Sequence, residues 1–148
     1  MELKRILWPT DFSGSAEKAL PYVTSLTQRY TAEIHVLYVI EDIAHHPSWY
    51  GEFKSQHMDQ LMEWADQSAK KRLDQICDKY LHECPLYIKH VAVGDPAQEI
   101  LNLIEREEIE TVVMTSHGQS GNFRYGSVAE KVLKNASVPV TIIPAELN

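Results

Sequence analysis

The stretch "TVVMTSHGQSGNFRYGSVAEKVLKNASVPVTIIP", Thr111 to Pro144, decides the fold. It opens on an apolar, β-branched run, Thr111–Ser116, of the kind that buried strands use. A segment rich in glycine and hydroxyl side chains follows. Ser127 and Glu130 then have the spacing of a capping box, and Val128, Val132, Leu133 and Ala136 are spaced to face inward from one helix. The last run, "VPVTIIP" (Val138–Pro144), is again strand-like. Strand, loop, helix and strand in that order form a crossover unit, which joins parallel strands.

The same alternation runs upstream. "RILWPT" (Arg5–Thr10) is a short apolar run closed by Pro9, and "EIHVLYVIE" (Glu33–Glu41) reads as a central strand. Between them, Ala16, Ala19, Leu20, Val23, Leu26 and Tyr30 lie at helical spacing, with Pro21 predicting an early kink. From Met58 onward, Leu61, Met62, Ala65, Ala69, Leu73 and Ile76 trace one face of a long helix. "LYIKHVAV" (Leu86–Val93) has the mixed polarity of a sheet edge. In "GDPAQEILNLIEREE", Asp95 is placed as N-cap, Pro96 as first helical residue and Gln98 as the other half of a capping box. "EREEIE" (Glu105–Glu110) reads as a solvated helix end, and residues 42–56 as a surface excursion. The order β-α-β-α-β-α-β-α-β, with strands apolar on both faces, predicts an α/β fold. The expectation is a single domain, 1–148, with a doubly wound, five-stranded, Rossmann-like parallel sheet and helices on both faces.

Composition narrows the function. The 148 residues are 44% hydrophobic and 24% charged, which is ordinary for one globular domain. Acidic residues outnumber basic ones by 21 to 14, giving a net charge of −7. Nucleic acid and anionic membranes are therefore poor partners, and any anion must be held by locally arranged donors. No apolar run approaches the ~20 residues of a membrane span. "MELKRILWPTDF" lacks a signal-peptide pattern, so the expected location is the cytoplasm. Cys77 and Cys84 have no second pair, which argues against a zinc or disulfide framework. Adjacent His45 and His46 point apart in extended chain, so with Trp49, Tyr50 and His57 they suggest a solvated loop more than a metal site.

Ligands of open parallel sheets sit beyond the carboxyl ends of the strands, where the winding reverses. With a strand order such as 3-2-1-4-5, the segments at that point are "PTDFSGS" and "SHGQSGNFRYGS". In the second, Gly118, Gly121 and Gly126 allow close backbone approach, Ser120 and Ser127 add donors, and Arg124 adds charge. The N-terminus of the following helix is a natural anion site. Two plainer readings stand beside these: Ser127 and Glu130 can use the same amides as a capping box, and Asp11 or Ser13 can simply start the first helix.

"ILWPTDFSGSAEKAL", "IHVLYVIE", "VGDPAQEIL", "VVMTSHGQSG" and "GSVAEKVLKNASVPVTIIP" together resemble the universal stress protein family, nearly end to end. The family divides into members that bind ATP or related adenine nucleotides and members that do not. Resemblance to the ATP-binding branch implies an adenine nucleotide, and the shortened Gly118–Gly126 loop extends the expectation to AMP and ADP, with Mg²⁺ as an open question. The resemblance implies adenine near Pro9, Thr10, Asp11 and Val39. Met114, Thr115, Ser116 and His117 would flank the ribose and first phosphate. Gly118, Gly126, Ser127 and Val128 would hold phosphates, with Gly121 and Arg124 in the same loop. It also implies a homodimer formed through the C-terminal strand, Val138–Pro144.

The chain departs twice from the family pattern Gly-x2-Gly, nine residues, Gly-Ser/Thr. Thr115 stands at the first glycine position. Gly118 and Gly126 are separated by Gln119–Tyr125, two residues fewer, or up to ~7 Å of extended chain. Three functions follow in descending order: a nucleotide-binding stress regulator, a family member acting only through protein contacts, and a weak ATPase. Catalysis ranks last because phosphoryl transfer needs charge neutralisation that these loops scarcely offer.

Overall fold

The computed structural model describes residues 2–41, 55–81, 86–116 and 126–144, with side chains from residue 59 onward in the second span. The elements are β1 (Arg5–Pro9), α1 (Gly14–Glu17), α2 (Leu20–Tyr30), β2 (Glu33–Ile40), α3 (Ser55–Tyr80) and β3 (Tyr87–Val93). They continue with α4 (Pro96–Arg106), β4 (Thr111–Thr115), α5 (Ser127–Asn135) and β5 (Val140–Ile143). All strands are parallel, in the order β3-β2-β1-β4-β5. The α/β fold, a doubly wound five-stranded parallel sheet, is the expected one, and β3 lies at an edge. Among the described residues no helix is long and apolar enough to cross a membrane.

Strand side chains alternate between faces, and the sheet is packed on both. Ile6, Trp8, Ile34 and Val36 meet Leu20, Val23, Leu73 and Cys77 on the side of α2 and α3. Leu7, Leu37, Val112 and Met114 meet Ile100, Leu103, Ala129 and Val132 on the side of α4 and α5. The Trp8 indole N–H also donates to the Ala16 carbonyl at 3.2 Å, fixing α1 over β1. On the second face, His35 is buried in β2. Its Nε2 lies 3.3 Å from Glu33 Oε2 and its Nδ1 2.9 Å from His90 Nε2. Because a carboxylate only accepts, both contacts are satisfied with neutral rings when His35 donates through Nε2 and His90 donates to its Nδ1.

Several local expectations are corrected. Pro21 does more than kink a helix: the chain breaks at Lys18–Ala19 and restarts with proline in the first turn of α2. Asp95 caps α4 as predicted, accepting from the Gln98 amide at 2.9 Å, but the Gln98 side chain bonds Asn102 and makes no reciprocal box. α5 is capped by Gly126, with Ser127 as its first residue. Leu133 points to solvent, and Ala129 takes the buried place. The "EREEIE" run is only partly solvated. Glu108 turns the chain at φ 52°, Ile109 is buried, and Glu110 Oε1 accepts from the Lys4 and Arg5 amides at 2.9 and 3.0 Å. α3 begins at Ser55, inside the span read as an excursion; its first turns carry the exposed Leu61 and Trp64. A 26-residue helix is about 39 Å long, whereas the 8-residue β2 is about 26 Å. Cys77 is a buried core residue; Cys84, His45, His46, Trp49 and Tyr50, and the side chain of His57, lie outside the described residues.

Candidate functional site

The chain winds outward from β1 through β2 to β3, then crosses back to β4 and β5, so its direction reverses between β1 and β4. At that point the two strands part. β1 pairs with β2 as far as Pro9↔Leu37, but with β4 only through Ile6↔Thr111 and Leu7↔Val112. The cause lies in the sequence. The Thr10 amide donates to Leu37 O in β2, while Arg5 O accepts from the Glu110 amide on the β4 side. Alternate residues face alternate neighbours, so Pro9 also faces β4, where it has no N–H to give.

A cavity of about 610 Å³ opens at this fork, a size ordinary for small-molecule sites. Its wall includes Pro9, Thr10 and Asp11 after β1, and Val39 from β2. Met114, Thr115 and Ser116 come from β4, and Gly126, Ser127 and Val128 from the start of α5. Thus ten of the predicted residues line one space. His117, Gly118, Gly121 and Arg124 lie outside the described residues. The cavity also takes in Ala16, Leu37, Tyr38, Glu41, Pro96, Ile100 and Ala129, none of which was predicted. Glu41 had a signal: it directly follows β2, the same rule that picked out Asp11 and Ser116. Pro96 and Ile100 had none, because only the packing of α4 against α5 brings them there.

Chemically the cavity is divided. Leu37, Val39, Ile100, Met114 and Val128 make an apolar floor suited to a flat ring. Thr10, Thr115 and Ser116 add hydroxyls that are largely buried. Asp11 and Glu41 bring two exposed carboxylates, and no cationic side chain is among the described lining residues. Anion affinity must therefore come from main chain. At the α5 start, the Gly126 amide is used internally, donating to Ser116 O at 2.6 Å, and the Glu130 amide bonds Gly126 O at 3.0 Å. The amides between them, of Ser127, Val128 and Ala129, are the ones a helix cannot use itself, and no side chain among the described residues caps them. The Glu130 carboxylate turns to Lys134 at 2.9 Å, which holds its pKa below the usual range. Among the described residues the competing capping box is absent, and these three donors at the positive end of the helix dipole border the cavity.

The opposite wall is locally braced. Asp11 Oδ1 accepts from the Ser13 amide at 2.9 Å, and Ser13 Oγ caps α1 through the Ala16 amide at 3.1 Å. Ser13 is thus the helix starter, and Asp11 serves the turn while still lining the cavity. Beside the cavity, Asp95 Oδ2 receives both the Gln98 amide and, at 3.2 Å, Lys131 of α5. The amide first, and then the lysine, hold the Asp95 carboxyl below the ordinary carboxylate range.

The family model for the universal stress protein family matches residues 2–144. The chain belongs to the universal stress protein family. Universal stress protein MJ0577 of Methanocaldococcus jannaschii is 30% identical, with 95% of this chain and 94% of that one covered. The solved structure of MJ0577 superimposes over the whole of both chains with a TM-score of 0.86 at 27% identity. A universal stress protein of Archaeoglobus fulgidus, solved in complex with dAMP, shares the fold with a TM-score of 0.66 at 19% identity, covering 96% of this chain and 98% of that one.

One of the two departures from the family pattern has a local explanation in this universal stress protein. Thr115 is the last residue of β4 and stands opposite Ile143 of β5. A β-branched side chain suits that extended backbone, so this position imposes no need for glycine. The shortened Gln119–Tyr125 segment is outside the described residues.

Proposed function

We propose that this universal stress protein binds an adenine nucleotide in the cavity at the β1–β4 fork and acts as a regulatory homodimer in the cytoplasm. The observation that carries the reading is the arrangement of three uncapped α5 amides across an apolar floor from Asp11 and Glu41. The floor receives the base, the carboxylates accept from N–H or O–H groups of base and sugar, and the amides donate to phosphate oxygens. The dAMP complex of a protein with the same fold supports the ligand class.

Charge argues for few phosphates. Each added phosphate brings more negative charge toward a described wall that already carries two carboxylates and, in side chains, no compensating cation. AMP and ADP are accordingly accepted as well as ATP. The same charges oppose the transition state of phosphoryl transfer, so the reading is binding without turnover. The dimer forms through β5. Val140–Ile143 is a half-buried apolar strand at the sheet edge, a hazard unless a second copy covers it.

The test is to denature the purified protein, chromatograph the released small molecules, and titrate with AMP, ADP and ATP. Adenine nucleotide in the extract, or saturable binding of AMP, is expected; neither would leave the reading without support. For the dimer, a chain ending before Val138 should sediment as a monomer, and a persisting dimer would refute the β5 interface.

A further inference from the structure

Phe12 directly follows Asp11 in the cavity wall, and its backbone is left-handed, with φ 66°. For a bulky side chain this conformation is an outlier, kept only where the surroundings over-determine it. Here they do so twice. The main chain is held by two hydrogen bonds, from the Phe12 amide to Thr10 Oγ1 at 3.1 Å and from the Ser13 amide to Asp11 Oδ1 at 2.9 Å. The ring is held between two others. Its centroid is 4.2 Å from that of Tyr38 in β2, and the Arg72 guanidinium of α3 lies 4.3 Å from it.

Arg72 is exposed on α3 and is not among the described residues that line the cavity. The Phe12 ring nevertheless links it to the Asp11 turn, because the ring cannot leave Arg72 and Tyr38 without releasing the strained main chain beneath it. We infer that the Arg72–Phe12–Tyr38 stack is a positioning device that fixes the left-handed turn and so aims the Asp11 carboxylate at the ligand. Arg72 is then a positioning residue that sets affinity from outside the cavity. The ligand half of this inference rests on the nucleotide reading above; the turn-holding half does not.

Two measurements on the full chain separate the halves. In ligand-free protein, Arg72→Ala should speed hydrogen exchange at the Phe12 and Ser13 amides by about two- to fivefold, the loss of an exposed cation–π contact, while β1 amides are unaffected. In AMP titrations, Arg72→Ala should weaken binding by about two- to fivefold, Arg72→Lys by less, and Arg72→Ala should add nothing in an Asp11→Ala background. Unchanged exchange would overturn the device whatever the titrations give. Faster exchange with unchanged AMP affinity, or additive losses in the double variant, would overturn its route through Asp11. If exchange rises but the wild type binds no AMP, the nucleotide reading fails and the turn-holding role stands.

Discussion

Replacing Ser127 by proline removes one amide from the proposed anion site while leaving α5 intact. Ser127 is the first helical residue, where proline is favoured and its missing N–H costs the helix nothing. Gly126, at φ −70° and ψ 165°, already has the extended backbone that must precede a proline. Stability should therefore stay within about 0.5 kcal/mol of the wild type. A hydrogen bond to a charged group contributes about 1.5–3 kcal/mol. With Val128 and Ala129 still donating, the lower figure applies, and AMP affinity should fall by about tenfold. Calorimetric titration of AMP and a melting curve for each variant provide the test, with Ser127→Ala as the control that removes the hydroxyl alone. A well-folded Ser127→Pro protein that binds AMP as tightly as wild type would refute anion binding by the helix start.

Three further outcomes are expected. Asp95→Ala loses an N-cap worth about 1 kcal/mol and an ion pair discounted, for its exposure, to about 0.5 kcal/mol or less; Asp95→Asn keeps the cap and should recover most of the urea midpoint. Glu110→Ala strips an acceptor from the Lys4 and Arg5 amides. It should lower the melting temperature by about 3–6 °C, from about 1–2 kcal/mol, with AMP affinity unchanged because these amides begin β1 at the opposite end from the cavity. Burial first, and then the His35 neighbour, hold the His90 pKa below that of a free imidazole. Its stabilisation is therefore complete above about pH 6.5, the unfolded value, and is lost as pH falls through the folded value. The urea midpoint should drop on acidification through that window and drop less in His90→Gln; equal slopes would count against the His35–His90 pair as the cause.

Strand and helix order were legible because both faces of the sheet are buried, so apolar runs such as "TVVMT" and helical spacings such as Ala69–Leu73 announce themselves. Hydrogen-bond partners were less legible. Ser127 and Glu130 have the spacing of a capping box, yet Gly126 caps and Glu130 chooses Lys134, since spacing does not reveal competitors four residues away. Glu110 looks like one more solvated carboxylate, and only the return of β1 beside β4 supplies the amides it accepts. The cavity was readable where residues follow strands and unreadable where α4 leans in.

The 2.6 Å bond from the Gly126 amide to the Ser116 carbonyl has a wider consequence. It joins the residues on either side of 117–125, and so holds the start of α5 against the end of β4. On the nucleotide reading proposed above, changing the number of residues between that pair should alter phosphate preference without moving the start of α5, and a chimaera series of graded lengths, titrated with AMP, ADP and ATP, would measure it.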